Sequence, residues 1–275
     1  MAGRLAPLIG SLREIPGVEG IGVGGSRALK ASSLDSDWDL VIFRDEGRPI
    51  DSGSVYKAIF QVCAPGTLKR SGSYISGISQ DQTFEIFQKD LKSIQIEIEA
   101  SRLGKFGWGI SPLFPHGDIT TRTITHIRFL DILWQKDSKL TNLQNMALPF
   151  PEPLGRSLTE FFLNRAGACI IQAQKVLASG ITAELAGYIS AVAFYFGIAI
   201  CAINRQYPVI EKGWWSFVER QVTKPPAYSV RLQECFEKSF SGEPANAIGT
   251  LISLLSEIRG LNSFSAPRSI RLSLG

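Results

Sequence analysis

Apolar and polar positions change period several times along the 275-residue chain. From about Leu5 to Glu14, the residues Leu5, Leu8, Ile9 and Leu12 recur at helical spacing, and Pro16-Gly17 ends the run. Val18 to Val23 then reads as a short strand. Asp39 to Phe43 reads as a second, apolar one, stopped by the polar sequence Arg44 to Pro49. Ser52 or Ser54 is placed to cap a helix through about Cys63, with Val55, Ile59, Phe60 and Val62 along one side. Residues 83 to 99 alternate strictly and predict a hairpin, TFEIFQ and SIQIEIEA separated by Lys89-Asp90-Leu91-Lys92. In its second strand Ile94, Ile96 and Ile98 would share one face and Gln95, Glu97 and Glu99 the other. A further strand near Phe129 to Trp134 is followed by a turn at Lys136 to Lys139.

The character changes at Pro149-Phe150-Pro151-Glu152-Pro153, where alternate prolines mark a linker. Beyond it the period is helical, with helices expected at roughly 155 to 178, 182 to 204, 211 to 222, 228 to 240 and 246 to 259, and with Gly180 and Gly260 as stops. The fold class is therefore α/β of the α+β kind, with an N-terminal domain over 1–150 and an all-helical domain over 151–275. Ala186 to Ile203 has no charged residue over 18 positions and resembles a membrane span by composition. It contains two glycines and Tyr188, Ser190 and Tyr195, and it lies between amphipathic helices, so it is read as a buried core helix.

Composition adds exclusions. A net charge of +4 suits an anionic small substrate and falls short of the basic excess of a protein that lives on nucleic acid, so no nucleic-acid partner and no membrane are expected. Cys63, Cys169, Cys201 and Cys235 are scattered and form no CxxC pair, which argues against a zinc site or a disulfide framework. The first residues carry charge at Arg4, Arg13 and Glu14 and leave no clean apolar run before a cleavage site, so a cytoplasmic location is expected.

The chemistry concentrates in residues 22 to 40, GVGGSRALKASSLDSDWDL. On a strand, Asp37 and Asp39 project to the same side and repel unless a cation neutralises them. Hard divalent ions with oxygen ligands do this, and Mg²⁺ binds through one or two carboxylates together with substrate phosphates. A third carboxylate on a neighbouring strand, Glu97 or Glu99, would let two metals flank an in-line phosphoryl displacement. Small residues at Gly24-Gly25-Ser26 let phosphate oxygens approach the backbone N–H groups, and Ser26 adds a hydroxyl. Asp35 is read as a loop or turn residue.

An apolar strand, GGSRA, about ten residues, then LDSDWDL before another apolar strand resembles the signature of the polymerase-beta-like nucleotidyltransferase superfamily. It is most similar to the small stand-alone bacterial enzymes that include aminoglycoside and lincosamide nucleotidyltransferases. CAINRQYPVIEKGWW, in the second half, is similar to a stretch of their helical region. The resemblance implies a mixed sheet bearing three metal-binding carboxylates and a helical domain closing over the nucleotide. It further implies that Gly25 and Ser26 hold the triphosphate, that Asp37 and Asp39 bind two Mg²⁺ ions, and that Glu97, with Glu99 as the alternate, completes the set. The reaction implied is transfer of a nucleoside monophosphate, AMP from ATP or another NTP, to a hydroxyl of a small acceptor.

Lys212 is placed to reach the triphosphate as a point charge, or else is a solvated residue of a helix's first turn. Arg27 and Arg205 suit ion pairs as well as phosphate. His116 and His126 belong to no recognisable metal motif, and Trp214-Trp215 reads as packing. Two other functions fit the same residues: adenylylation of a separate protein, as in the antitoxin branch of the superfamily, and a catalytically silent nucleotide-binding module.

Overall fold

The structure, a computed structural model, describes residues 5–29, 36–45, 50–72, 74–109, 111, 117–177, 182–209 and 213–264. It is a mixed α/β fold, an N-terminal six-stranded mixed sheet followed by a helical region. Two compact units divide the chain, one of residues 1–99 and 121–149, the other of residues 100–120 and 150–275.

In the first unit, helix α1 (Ala6–Arg13) leads into strand β1 (Val18–Val23), the short helix α2 (Gly25–Ala28) and strand β2 (Trp38–Arg44). Helix α3 (Ser52–Ile59) is capped by Asp51, whose carboxylate accepts from the Ser54 N–H at 2.8 Å. The cap is thus neither Ser52 nor Ser54, because an aspartate at the preceding position reaches the same orphan donor. Strands β3 (Lys69–Ser71), β4 (Tyr74–Ser79) and β5 (Gln82–Asp90) follow. Then come helix α4 (Leu91–Arg102), helix α5 (Thr121–Phe129), strand β8 (Asp131–Gln135) and helix α6 (Lys139–Met146), with the small pair β6 (Trp108–Gly109) and β7 (Asp118–Ile119) inserted within residues 100–120. The sheet order is β3-β4-β5-β2-β1-β8, with β2 and β5 parallel and every other neighbouring pair antiparallel.

Alternation along β2 and β5 sorts their side chains. Leu40, Ile42, Phe84 and Ile86 enter a core with Leu8, Leu12, Ile21, Val55, Ile59 and Ile75, while Asp39 and Glu85, at the intervening positions, turn to the opposite face.

The hairpin expected over 83–99 is a correction. The real hairpin joins β4 to β5 through Gln80 and Asp81, both with positive φ (49° and 60°), as a two-residue turn matched to strand twist requires. SIQIEIEA is instead helix α4. Asp90 caps it, its Oδ1 accepting from the Ser93 N–H at 2.8 Å. Leu91, Ile94 and Ile98 are buried at helical spacing, whereas Ile96 is 53% exposed. The alternation of isoleucine and glutamate was thus coincident with a helical stripe that skips Ile96.

The second unit contains helices α7 (Glu152–Leu177), α8 (Thr182–Ile203), α9 (Trp214–Glu219), α10 (Tyr228–Phe240) and α11 (Pro244–Leu261). Helix α11 runs through Gly260, which is therefore not its stop, and α9 is shorter than the helix expected over 211–222. Ala183–Ile203 of α8 is long and apolar enough to cross a membrane by length and composition, and 72% of that window is buried inside the structure. It packs along α7, and all twelve residues from Val192 to Ile203 except Gly197 are buried hydrophobics.

Candidate active site

The site is assembled where β1 and β2 lie antiparallel and β2 runs beside β5. The Gly24 N–H donates to the Asp39 carbonyl at 2.8 Å, which extends the β1–β2 ladder past Val23 and brings the next residue over β2. That residue, Gly25, has φ +59°, and a Cβ built there would stand 1.8 Å from Asp39 Oδ2. The Asp39 carboxylate therefore occupies the space a side chain would need, and the left-handed backbone adds a second reason for glycine. Ser26 follows on α2.

Asp39 and Glu85 are register partners on the parallel strands β2 and β5, and both are half-buried on the face away from the core. Ser76 of β4 pairs with Glu85 from the other side. The Tyr74 hydroxyl donates to Glu85 Oε1 at 2.6 Å. That bond first, then burial, raises the Tyr74 phenol above its ordinary value, and the nearby charge of Asp37 adds to the effect. Asp37 itself is exposed, just ahead of β2.

Arg27 fixes the approach to β2. Its Nε donates to the Asp37 carbonyl at 3.1 Å, its terminal nitrogen donates to the Ser36 carbonyl, and its guanidinium lies 4.3 Å over the Trp38 ring. Trp38 is held in turn by Nε1 donating to Gln82 Oε1 at 3.1 Å. Arg27 thus spends its donors on backbone, a structural role.

The correction to the hairpin moves the two glutamates expected on its second strand. Glu97 and Glu99 are on helix α4, not on a strand, and share no sheet face with Asp39. Glu99 is exposed and accepts from Gln95 Nε2 at 2.8 Å. The residue beside Asp39 is Glu85, which sequence reasoning missed. The signal was present in TFEIF, an acid between two buried apolar residues, on a strand that runs five residues past it to Asp90. Asp35, Lys212 and His116 lie outside the described residues, and His126 is on α5.

Asp39, against Gly25, and Glu85, its register partner, are hard-oxygen donors of the kind Mg²⁺ prefers, and Asp37 lies two residues before Asp39. Among the described residues no three His, Cys, Asp or Glu side chains already converge as a metal cluster. The four cysteines are free thiols, and burial pushes Cys63 and Cys235 up to about 11, which keeps them protonated at neutral pH. A cavity of about 630 Å³ in the same unit, lined by Asp45, Lys92, Gln95, Lys139, Asn142 and Met146, contains none of the site carboxylates.

No protein-family model matches this sequence, and no curated protein matches it. Among solved structures the chain is similar to a nucleotidyltransferase-like protein from Exiguobacterium sibiricum, with TM-score 0.46 and 10% identity over 92% of this chain and 73% of that one. It is also similar to E. coli MS115-1 CdnC in its structure with ATP, with TM-score 0.28 and 13% identity over 95% of this chain and 89% of that one. At this level of similarity neither neighbour assigns a function, which has to be read from the chain's own residues.

Proposed function

We propose that the protein is a Mg²⁺-dependent nucleotidyltransferase that moves a nucleoside monophosphate, AMP from ATP, onto a hydroxyl of a small acceptor and releases pyrophosphate. The observation that carries this reading is the Asp39 carboxylate lying over Gly25 in register with Glu85. It sets a glycine turn beside two acids on one face of the sheet, the arrangement that binding a phosphate and a cation together would use.

In this reading Gly25 and Ser26 seat the triphosphate, and Asp37, Asp39 and Glu85 would hold the metal. Bound there, Mg²⁺ would neutralise phosphate charge and make a hydroxyl easier to deprotonate. Asp39, held on its strand against Gly25, would present its carboxylate to that metal. The Glu85 oxygen that Tyr74 does not engage would share that metal with Asp39, and the acceptor's proton passes to solvent. Arg27 and Trp38 keep the approach to β2 in one geometry, which is worth rate because misplacement of reacting groups is costly.

A catalytically silent nucleotide-binding module is the second reading, favoured by the exposed position of Asp37 just ahead of β2. Pyrophosphate release separates the two. The full chain is incubated with each of the four NTPs, Mg²⁺ and a panel of aminoglycoside and lincosamide acceptors. Release that falls to background in Asp37→Asn, Asp39→Asn and Glu85→Gln, and persists in Glu97→Gln, is expected. Release retained in the two aspartate variants would remove the assignment, and nucleotide binding without release by the wild type would favour the silent module.

A further inference from the structure

Tyr74 is the first residue of β4, two positions before Ser76, the register partner of Glu85, so tyrosine and glutamate share the sheet face that carries Asp39. The 2.6 Å bond from its hydroxyl to Glu85 Oε1 is in the range of strong charge-assisted hydrogen bonds. The ring has a second anchor. Phe87, two positions after Glu85, meets it edge-on with centroids 6.0 Å apart and planes at 60°. The backbone of Tyr74 is pinned on its other side by pairing with Ser71 of β3. The phenol thus restrains the rotation of the Glu85 carboxylate and engages Oε1, leaving Oε2 for a further partner beside the register-paired Asp39.

We propose that Tyr74 is a positioning residue that orients Glu85 for a divalent cation shared with Asp39. The proposal rests on the nucleotidyltransferase reading for the cation. Hydrogen-bond partners of carboxylate ligands set ligand orientation and basicity, and their loss costs about 10–100-fold in metal affinity.

Free Mn²⁺, followed by its electron paramagnetic resonance signal against a matched protein-free titration with the same non-hydrolysable ATP analogue, reports binding to the full chain. Four proteins are compared: wild type, Tyr74→Phe, Glu85→Gln and the double variant. Tyr74→Phe is expected to weaken Mn²⁺ binding by about ten-fold or more, and to make no further difference once Glu85 is glutamine. A merely structural tyrosine would not depend on Glu85 in this way. Phe87→Leu, which loosens the ring and leaves the hydroxyl, serves where Tyr74→Phe does not fold and should weaken binding in the same direction. Wild-type affinity in Tyr74→Phe, or an equal loss in the Glu85→Gln background, would overturn the proposal alone. A wild type that binds no Mn²⁺ with the analogue would overturn the nucleotidyltransferase reading and the role of Tyr74 with it.

Discussion

Gly25 and Asp39 are so close that neither can be changed without consequence for the other. Gly25→Ala must displace the Asp39 carboxylate and hold a side chain at φ +59°, a conformation that costs an L-residue roughly 1–2 kcal/mol. Urea denaturation should show a loss of that order, accompanied by loss of pyrophosphate release. Gly24→Ala is the control. Its Cβ would meet Val41 at 3.6 Å, an ordinary contact, and the smaller loss of stability should leave release intact. The glycines and both aspartates stood out in the sequence because the pattern is local: Gly24, Gly25, Asp37 and Asp39 within sixteen positions at the end of one apolar strand and the start of the next. Glu85 was not, because its membership depends on the parallel pairing of β2 with β5, a long-range register that no local pattern specifies.

Helix α4 shows how an element can hide. Its residues alternate as a strand would, and the deciding features are an aspartate cap and burial at Leu91, Ile94 and Ile98. Lysine at Ile94 or Ile98 should therefore destabilise by roughly 3 kcal/mol or more through a buried unpaired charge. Lysine at the exposed Ile96 should stay within about 0.5 kcal/mol, measured by thermal melts. Were the segment a strand with three inward isoleucines, all three would be equally damaging. Asp90 has a second duty. Its Oδ2 pairs with Arg44 at 3.1 Å while Oδ1 caps the helix, so Asp90→Ala should cost more than the roughly 1 kcal/mol of a cap alone, and Asp90→Asn, which retains an acceptor, less. Strands β3 and β4 went unread for a related reason. β3 is only three exposed residues, β4 is interrupted by Ser and Gly, and the turn from β4 to β5, Gln80-Asp81, lacks the glycine that usually advertises a hairpin.

At the scale of the molecule, the helical half was legible almost throughout, since the 3.6-residue period repeats over long runs and one all-apolar helix, α8, fills the middle. The sheet half was legible for the strands that carry the aspartates and not for its far edge. Charge also closes the helical unit. Arg231 of α10 makes a two-pronged pair with Glu257 of α11, at 2.8 Å and 2.7 Å. That bond, followed by one from Ser253, holds the Glu257 carboxyl below its ordinary 4.5. A carboxyl lowered in the folded state stabilises above its unfolded value and loses that contribution as pH falls through the folded one. Thermal melts of wild type and Glu257→Gln should differ at neutral pH and converge as the pH drops below 4.5. The pair is partly exposed, so the difference should be small and should shrink with added salt.

Nucleotide phosphates and a divalent cation are expected to meet beside Gly25, Asp39 and Glu85. A crystal structure of the full chain with a non-hydrolysable ATP analogue and Mg²⁺ tests it most directly. The expected result is triphosphate against Gly25 and Ser26 with metal on Asp39 and Glu85. Metal on Glu97 or Glu99, or a nucleotide seated away from Gly25, would contradict it.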